Sequence, residues 1–193
     1  MKTILENTTN EIIVKNSKFI TILHNIDDNT DINIILEDYK EKYPKATHYC
    51  YGYITENKKK SSDDGEPGGT AGTPILNVLE KEDIINTIAI VIRYFGGIKL
   101  GAGGLVRAYS KSIKEALNNS NLIELEEGYQ VEITFDYDNK KDIDYKLKNY
   151  EIINEEYLDK ITYTILIPIN SIDKINNYNY KIINKLLIKK QKI

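Results

Sequence analysis

Apolar and polar positions alternate along the chain in two rhythms. Glu11 to Val14 and Lys18 to Leu23 are short β-branched runs and predict a hairpin that turns at Asn16-Ser17. Thr30 has the chemistry of a helix N-cap. Ile32, Ile35, Leu36, Tyr39 and Tyr43 then follow at helical spacing, and Pro44 ends that helix. Ala46 to Ile54 alternates as a strand, with His48 and Cys50 on one face and Tyr49 and Tyr51 on the other.

The middle of the chain changes character. Ser61 to Gly72 holds four glycines and a proline in twelve residues, which predicts irregular structure. Thr73-Pro74 supplies a hydroxyl cap and a proline at the first helical position, so a helix is expected from Ile75 to Glu80 or beyond. Ile84 to Tyr94 contains TIAIVIRY, apolar enough for a central strand covered on both faces. Phe95 to Gly104 reads as a second glycine loop. Leu105 to Leu117 reads as a helix whose buried stripe is Leu105, Ala108, Tyr109, Ile113, Ala116 and Leu117. Arg107, Lys111 and Lys114, at steps of four and three, line another face of it.

A polar stretch at Asn118 to Asn121 leads to a domain boundary between Leu122 and Gly128, separating residues 1–124 from 125–193. The second part predicts a strand at Tyr129 to Tyr137 and a helix capped by Asp138 and running to Asn149. Strands at Glu151 to Tyr157 and Ile161 to Pro168 follow, then a short helix from Ser171 and a strand from Ile182 to Lys189. That order, β-α-β-β-α-β, is the ferredoxin-like split arrangement, and the whole chain reads as α+β. With no glycine after Gly128 and no histidine, the second domain is expected to bind, position or dimerise rather than perform chemistry.

A chain of 193 residues suits two domains. The net charge of −3 gives no global drive toward nucleic acid or an anionic membrane, so any nucleic-acid role needs a local basic face. Cys50 is the single cysteine, which excludes an internal disulfide and a Cys-based zinc site. No run of about 18 apolar residues is present, and the N-terminus lacks a signal-peptide core, which predicts a cytoplasmic location and no membrane span.

Candidate chemistry gathers between Gly65 and Lys114. Nine of the 11 glycines and both arginines lie in this stretch. Between Asp83 and Glu115, 31 residues carry Arg93, Lys99, Arg107, Lys111 and Lys114 and no acidic side chain. The glycines Gly96, Gly97, Gly101, Gly103 and Gly104 precede a helix, whose first N–H groups and dipole favour an anion. These ten residues are the candidates for contact with phosphate or RNA; the bland reading is a tight crossover beside a solvated basic helix face. Asp63, Asp64 and Glu66 are close enough in sequence to ligate Mg²⁺, to pair with an arginine or to cap turns. His48, Asp64 and Glu66 are the candidates for acid–base work, although a lone strand histidine is more often packed and hydrogen-bonded.

Two long motifs carry a resemblance. Asp63-Asp64-Gly65-Glu66-Pro67-Gly68-Gly69-Thr70-Ala71-Gly72-Thr73-Pro74 and Arg93-Tyr94-Phe95-Gly96-Gly97-Ile98-Lys99-Leu100-Gly101-Ala102-Gly103-Gly104-Leu105-Val106-Arg107-Ala108-Tyr109 resemble the YigZ/IMPACT family. Ser17-Lys18-Phe19-Ile20 and Ala46-Thr47-His48-Tyr49-Cys50 are similar to its early motifs. The resemblance covers the first 120 residues or so densely. It implies a first domain like domain IV of elongation factor G, a ribosomal-protein second-domain-like fold also seen in small-molecule kinases of the GHMP type. It implies a ferredoxin-like second domain like domain V of the same factor, and a role tied to RNA or the ribosome. Eukaryotic members regulate translation by binding a partner of a stress kinase and carry an extra N-terminal RWD domain that has no counterpart in these residues, so that partner mechanism is not carried over.

Three readings follow. The first is a non-catalytic cytoplasmic regulator that binds RNA or the translation machinery through the basic, glycine-rich surface, without a cofactor. The second is an enzyme acting on a nucleotide or another phosphorylated small molecule, with phosphate at Gly101 to Gly104 and Mg²⁺ on the acidic loop. The third is a protein-interaction module whose exposed loops dock a partner.

Overall fold

The computed structural model describes residues 1–190; residues 191–193, the end of the second predicted domain, lie outside the described residues. The chain divides into two units, one of residues 1–123 and one that begins at Glu124.

The first unit is built on an antiparallel five-stranded sheet. Its strands are β2 (Thr8–Val14), β3 (Ser17–Asn25), β4 (His48–Ile54), β5 (Lys59–Ser62) and β6 (Thr87–Tyr94), in the order β2-β3-β6-β4-β5. A short strand β1 (Lys2–Ile4) precedes them. The apolar run at β6 is explained by its place: it is the middle strand, and seven of its eight residues are buried. Alternate β6 side chains serve two cores. Ala89 and Val91 join Phe19 and Cys50 beneath α2 (Gly72–Lys81) and α3 (Ala102–Asn118), whereas Ile88, Ile90 and Ile92 meet Ile35 of α1 (Ile32–Lys42) on the opposite face. Cys50 and Tyr51 therefore look to opposite sides, as the alternation of β4 predicts.

Several local expectations are corrected. The β2–β3 turn is Lys15-Asn16, both at positive φ (44° and 63°), because Ser17 already pairs with Val14. Asp31, not Thr30, caps α1: its Oδ1 accepts the Asn33 N–H at 2.9 Å, while Thr30 hydrogen-bonds Asp27. Ser61 and Ser62 are not loop but edge strand, paired with Gly52 and Tyr51. α2 begins at Gly72 without the Thr73 cap. α3 begins at Ala102, so Gly103 and Gly104 lie in its first turn rather than in a loop. The stripe foreseen for α3 is buried in full, with Ser112 added.

The second unit carries β7 (Leu122–Phe135), α4 (Lys140–Leu147), β8 (Glu151–Tyr157), β9 (Ile161–Pro168) and β10 (Asn179–Lys189). β7 is flanked by β9 and β10, and β8 lies outside β9, all antiparallel. Val131, Ile133, Ile165 and Ile167 pack with Ile143 and Leu147 of α4. β7 starts seven residues earlier than the alternation at Tyr129 indicates and runs through the predicted boundary. A 3-10 turn at Tyr137–Asn139 replaces the Asp138 cap, α4 stops at Leu147, and the helix expected from Ser171 is a 3-10 segment at Ile169–Ile175. β10 begins at Asn179, three residues before the predicted start.

Candidate functional site

Sheet register sets the floor of the site. Phe19 on β3, Arg93 on β6 and His48 on β4 are direct neighbours across three strands. They share the parity of Ala89, Val91 and Cys50, and so face α2 and α3. The loop from Asp63 to Ala71 folds back over this floor through positive φ at Asp64 (43°), Gly65 (83°) and Gly69 (75°).

Asp63 holds that loop in shape. Its Oδ1 accepts the N–H groups of Ala71 (2.9 Å) and Gly72 (2.8 Å), and its Oδ2 accepts that of Gly69 (2.8 Å). The start of α2 is thus capped by a carboxylate from outside the helix. Burial opposes ionisation of Asp63, but the three N–H groups outweigh it and hold its carboxyl below the usual carboxylate value. Asp64 is committed differently: its Oδ2 accepts the Tyr49 N–H at 2.7 Å. The Asp64 carbonyl oxygen lies 2.7 Å from His48 Nδ1. A carbonyl only accepts, so Nδ1 carries the proton and neutral His48 keeps its free lone pair on Nε2.

Glu66 reaches inward. Its Oε1 accepts from Arg93 Nη1 at 2.6 Å and from the Tyr109 hydroxyl at 2.7 Å. Both side chains of the ion pair are nearly inaccessible, at 6% and 3% exposed, so each neutralises a charge the interior would otherwise reject. His48 Nε2 stands 3.8 Å from Glu66 Oε2, too far for a hydrogen bond. Burial drives the Tyr109 phenol pKa upward, which keeps its proton available to Glu66. Burial likewise raises the Cys50 thiol to about 12. Cys50 Sγ lies 3.0 Å from the Asp63 carbonyl and 3.3 Å from Tyr109 Oη, and its single S–H serves one of them at a time. The Arg93 guanidinium also sits 5.5 Å from the ring centres of both Phe19 and Phe95.

A pocket of about 430 Å³ opens over this network. His48, Glu66 and Arg93 line it together with Lys99, Gly101 and Ala102, which lie before and at the start of α3. Phe95, Leu100, Leu105 and Pro67 make its apolar surface. The α3 N-cap is Gly101 at φ 72°, with no capping side chain and no acid in the first turn. Such a cavity, lined by the cations of Arg93 and Lys99 and by Ala102 at the helix start, can hold an anion, and His48 Nε2 and Glu66 Oε2 can accept a proton there.

The structure therefore splits the predicted site. Arg93 leaves the expected basic surface and is buried against Glu66, while Lys99, Arg107, Lys111 and Lys114 are exposed. Lys111 meets Glu115 at 3.5 Å. Asp63, Asp64 and Glu66 turn to three different partners, and among the described residues no group of three His, Cys, Asp or Glu is placed to hold a metal ion. The glycines divide too: Gly96 packs against the β2–β3 turn, whereas Gly97 and Gly101 adopt positive φ in open space. Sequence reasoning missed Tyr109 and Cys50 as partners of this network. The available signal was a tyrosine in an otherwise aliphatic stripe, whose hydroxyl needs a partner once buried.

Among the described residues, no helix is long and apolar enough to cross a membrane. The chain is similar over 125 residues to the IMPACT family member YvyE of Bacillus subtilis (strain 168), at 43% identity, covering 63% of this chain and 58% of that protein. It is 39% identical over 109 residues to the IMPACT family member YigZ of Escherichia coli (strain K12), covering 54% of this chain and 53% of that protein. The chain thus spans about half the length of the curated relatives it matches. A crystal structure of a hypothetical protein superposes with a TM-score of 0.63 at 27% identity, covering 94% of this chain and 95% of that one. Residues 15–117, more than half of the chain and the whole of the pocket described above, match the Impact N-terminal domain, and the protein is a member of the IMPACT family.

Proposed function

We propose that this protein is a cytoplasmic, non-catalytic regulator that acts on translation by binding RNA, in the ribosome or free, through the exposed cations around the start of α3. The observation that carries this reading is the placement of Lys99 and Arg107, both exposed, beside a helix start with no acid in its first turn. Lys114 continues the basic line along α3, and Phe95 and Ile98, exposed and close to Lys99 in sequence, offer apolar surface for bases. The second unit fits a ferredoxin-like domain, because its strands lie in the order β10-β7-β9-β8 with α4 between the first two in sequence. A domain of 1–124 like domain IV of elongation factor G, followed by one like domain V, would suit a ligand of ribosomal RNA.

Co-sedimentation with ribosomes and with bulk RNA tests this reading at about 50 and 200 mM salt, where phosphate contacts weaken steeply. Arg107→Ala and Lys99→Ala should each weaken binding and lower the salt slope by about 1. Both side chains are exposed, so the fold is unaffected. Binding that ignores salt, or that both variants retain at full strength, would overturn the RNA reading and favour docking to a protein.

A further inference from the structure

The face of the first sheet opposite α2 and α3 is only partly covered. α1 lays Ile35, with Leu36 and Tyr39 beside it, over Ile88, Ile90 and Ile92 of β6. β4 lies nearer the sheet edge, and Tyr49, Tyr51 and Tyr53 are its residues on this face, paired with Ile92, Ile90 and Ile88. All three rings are half-buried. Gly52, between two of them, looks the other way, against Ile75 and Leu76 of α2. The Tyr49 hydroxyl is tied down and donates to the Tyr43 carbonyl at 2.7 Å. Those of Tyr51 and Tyr53 have no hydrogen-bond partner among the described residues. The rings of these two tyrosines are nearly parallel, with an angle of 11° between their planes and 6.4 Å between their centres.

The cations beside this row are unmatched. Lys60 stands opposite Tyr53 across β4 and β5, and directly opposed residues share a face. Its neighbour Lys59 turns to the α2 side and meets Glu80 at 2.9 Å. Lys60 itself is exposed and has no carboxylate partner among the described residues. At the other end of the row, Lys40 Nζ lies 5.9 Å from the Tyr49 ring centre, likewise without a carboxylate among the described residues. The nearby acids are engaged or turned away. Asp28 accepts from Thr55 and Asn57, Asp38 acts on His24 and Tyr39 toward β3, and Glu56 lies past the end of β4. Glu37 and Glu41 are exposed and fall on the side of α1 away from Ile35.

We propose that this tyrosine row is a second RNA contact, one for unpaired bases: bases of a single strand stack on Tyr51 and Tyr53, and Lys40 and Lys60 take phosphates at the two ends. A strand face with parallel aromatic rings and free cations complements a single-stranded nucleic acid, whose bases offer ring faces and whose backbone is anionic. A duplex keeps its bases stacked on one another and has none to offer. An apolar protein partner would bury the two ammonium groups without counter-charge. The assignment shares its ligand class with the reading above but not its surface, because α3 packs on the other face of the sheet.

The chain contains no tryptophan, so Tyr53→Trp in the full chain places a single fluorophore in the row. The probes are a single-stranded oligouridylate of about ten nucleotides and inorganic polyphosphate, which brings charge without bases. Oligouridylate should quench the fluorophore and polyphosphate should not. Affinity is read from the anisotropy of labelled oligouridylate. Tyr51→Leu keeps apolar cover over the core and loses the ring; it should keep the melting temperature and lower affinity about tenfold without changing the salt slope. Lys60→Ala should lower affinity about threefold and the salt slope by about 1. Oligouridylate binding without quenching, equal quenching by polyphosphate, or full affinity in folded Tyr51→Leu would overturn this site and leave the α3 surface standing. Quenching that survives both Arg107→Ala and Lys99→Ala at full strength would support the row and overturn the α3 surface instead. A chain that binds no oligouridylate overturns the row outright.

Discussion

The Asp63 carboxylate accepts N–H groups from Gly69, Ala71 and Gly72, and its acidity follows from them. Burial alone would raise its pKa; the three donors lower it further than burial raises it. The folded state therefore favours the ionised form. Its contribution is complete above the unfolded value of about 3.9 and disappears as pH falls through the depressed folded value. Asp63→Asn keeps an oxygen acceptor and loses the charge. It should cost about 1 kcal/mol at pH 7 and flatten the acid limb of stability, read from urea midpoints between about pH 2.5 and 7. A limb parallel to that of the unaltered protein would refute this account. Capping was one of three roles the sequence left open for Asp63; which amides it would serve was not legible, because it lies eight and nine residues before those at the start of α2 and reaches them through left-handed backbone turns. The Glu66–Arg93 pair was more legible. A charge in a strand covered on both faces needs a buried counter-charge, and the acidic loop was the nearest source. Which of its three carboxylates would answer was settled by loop geometry, beyond the reach of spacing.

At the scale of elements, two glycines of one motif should behave in opposite ways. A Cβ on Gly96 would stand 2.1 Å from the Asn16 backbone, so the crossing of β6 into the loop beside the β2–β3 turn requires glycine. Gly96→Ala should cost about 3 kcal/mol or more. A Cβ on Gly103 meets only Arg107 Nη1 at 3.6 Å, an ordinary contact on a helix surface. Gly103→Ala should stabilise by about 0.5–1 kcal/mol. Thermal melts of the two variants check both signs, and equal shifts would deny the distinction. Periodicity located these elements well where burial is one-sided. The α3 stripe and the bounds of β8 and β9 emerge as the residue pattern indicates. It failed at the start of α3, because glycine in a first turn sacrifices no intrahelical N–H bond and so leaves no trace in propensity. It failed at β5 as well, where Ser61 and Ser62 gain their strand form from pairing with β4 rather than from their own preference.

On the scale of the whole molecule, the cores keep to their own units. Phe19, Leu79, Tyr109 and Ile113 pack with residues of the first unit, Ile88 and Ile92 with others of the same unit, and Ile133, Ile143 and Ile165 with residues of the second. A chain of residues 1–123 should accordingly fold alone and melt cooperatively, with amide shifts of the pocket residues like those of the full protein. A collapsed or disordered spectrum would contradict this. The junction between the units, at residues 123 and 124, falls inside the strand that begins at Leu122, just after the polar stretch. The sheet of the first unit has a further consequence for a chain made from its N-terminus. β2 with β3 and β4 with β5 are local hairpins, but β6 alone joins them, pairing with β3 on one side and β4 on the other. Until residues 87–94 have emerged during synthesis, the nascent protein carries two half-sheets, each with an open inner edge and an uncovered apolar face. The interval between the appearance of β4 and that of β6, about forty residues of elongation or a few seconds, is when this chain is most exposed to mispairing with its neighbours.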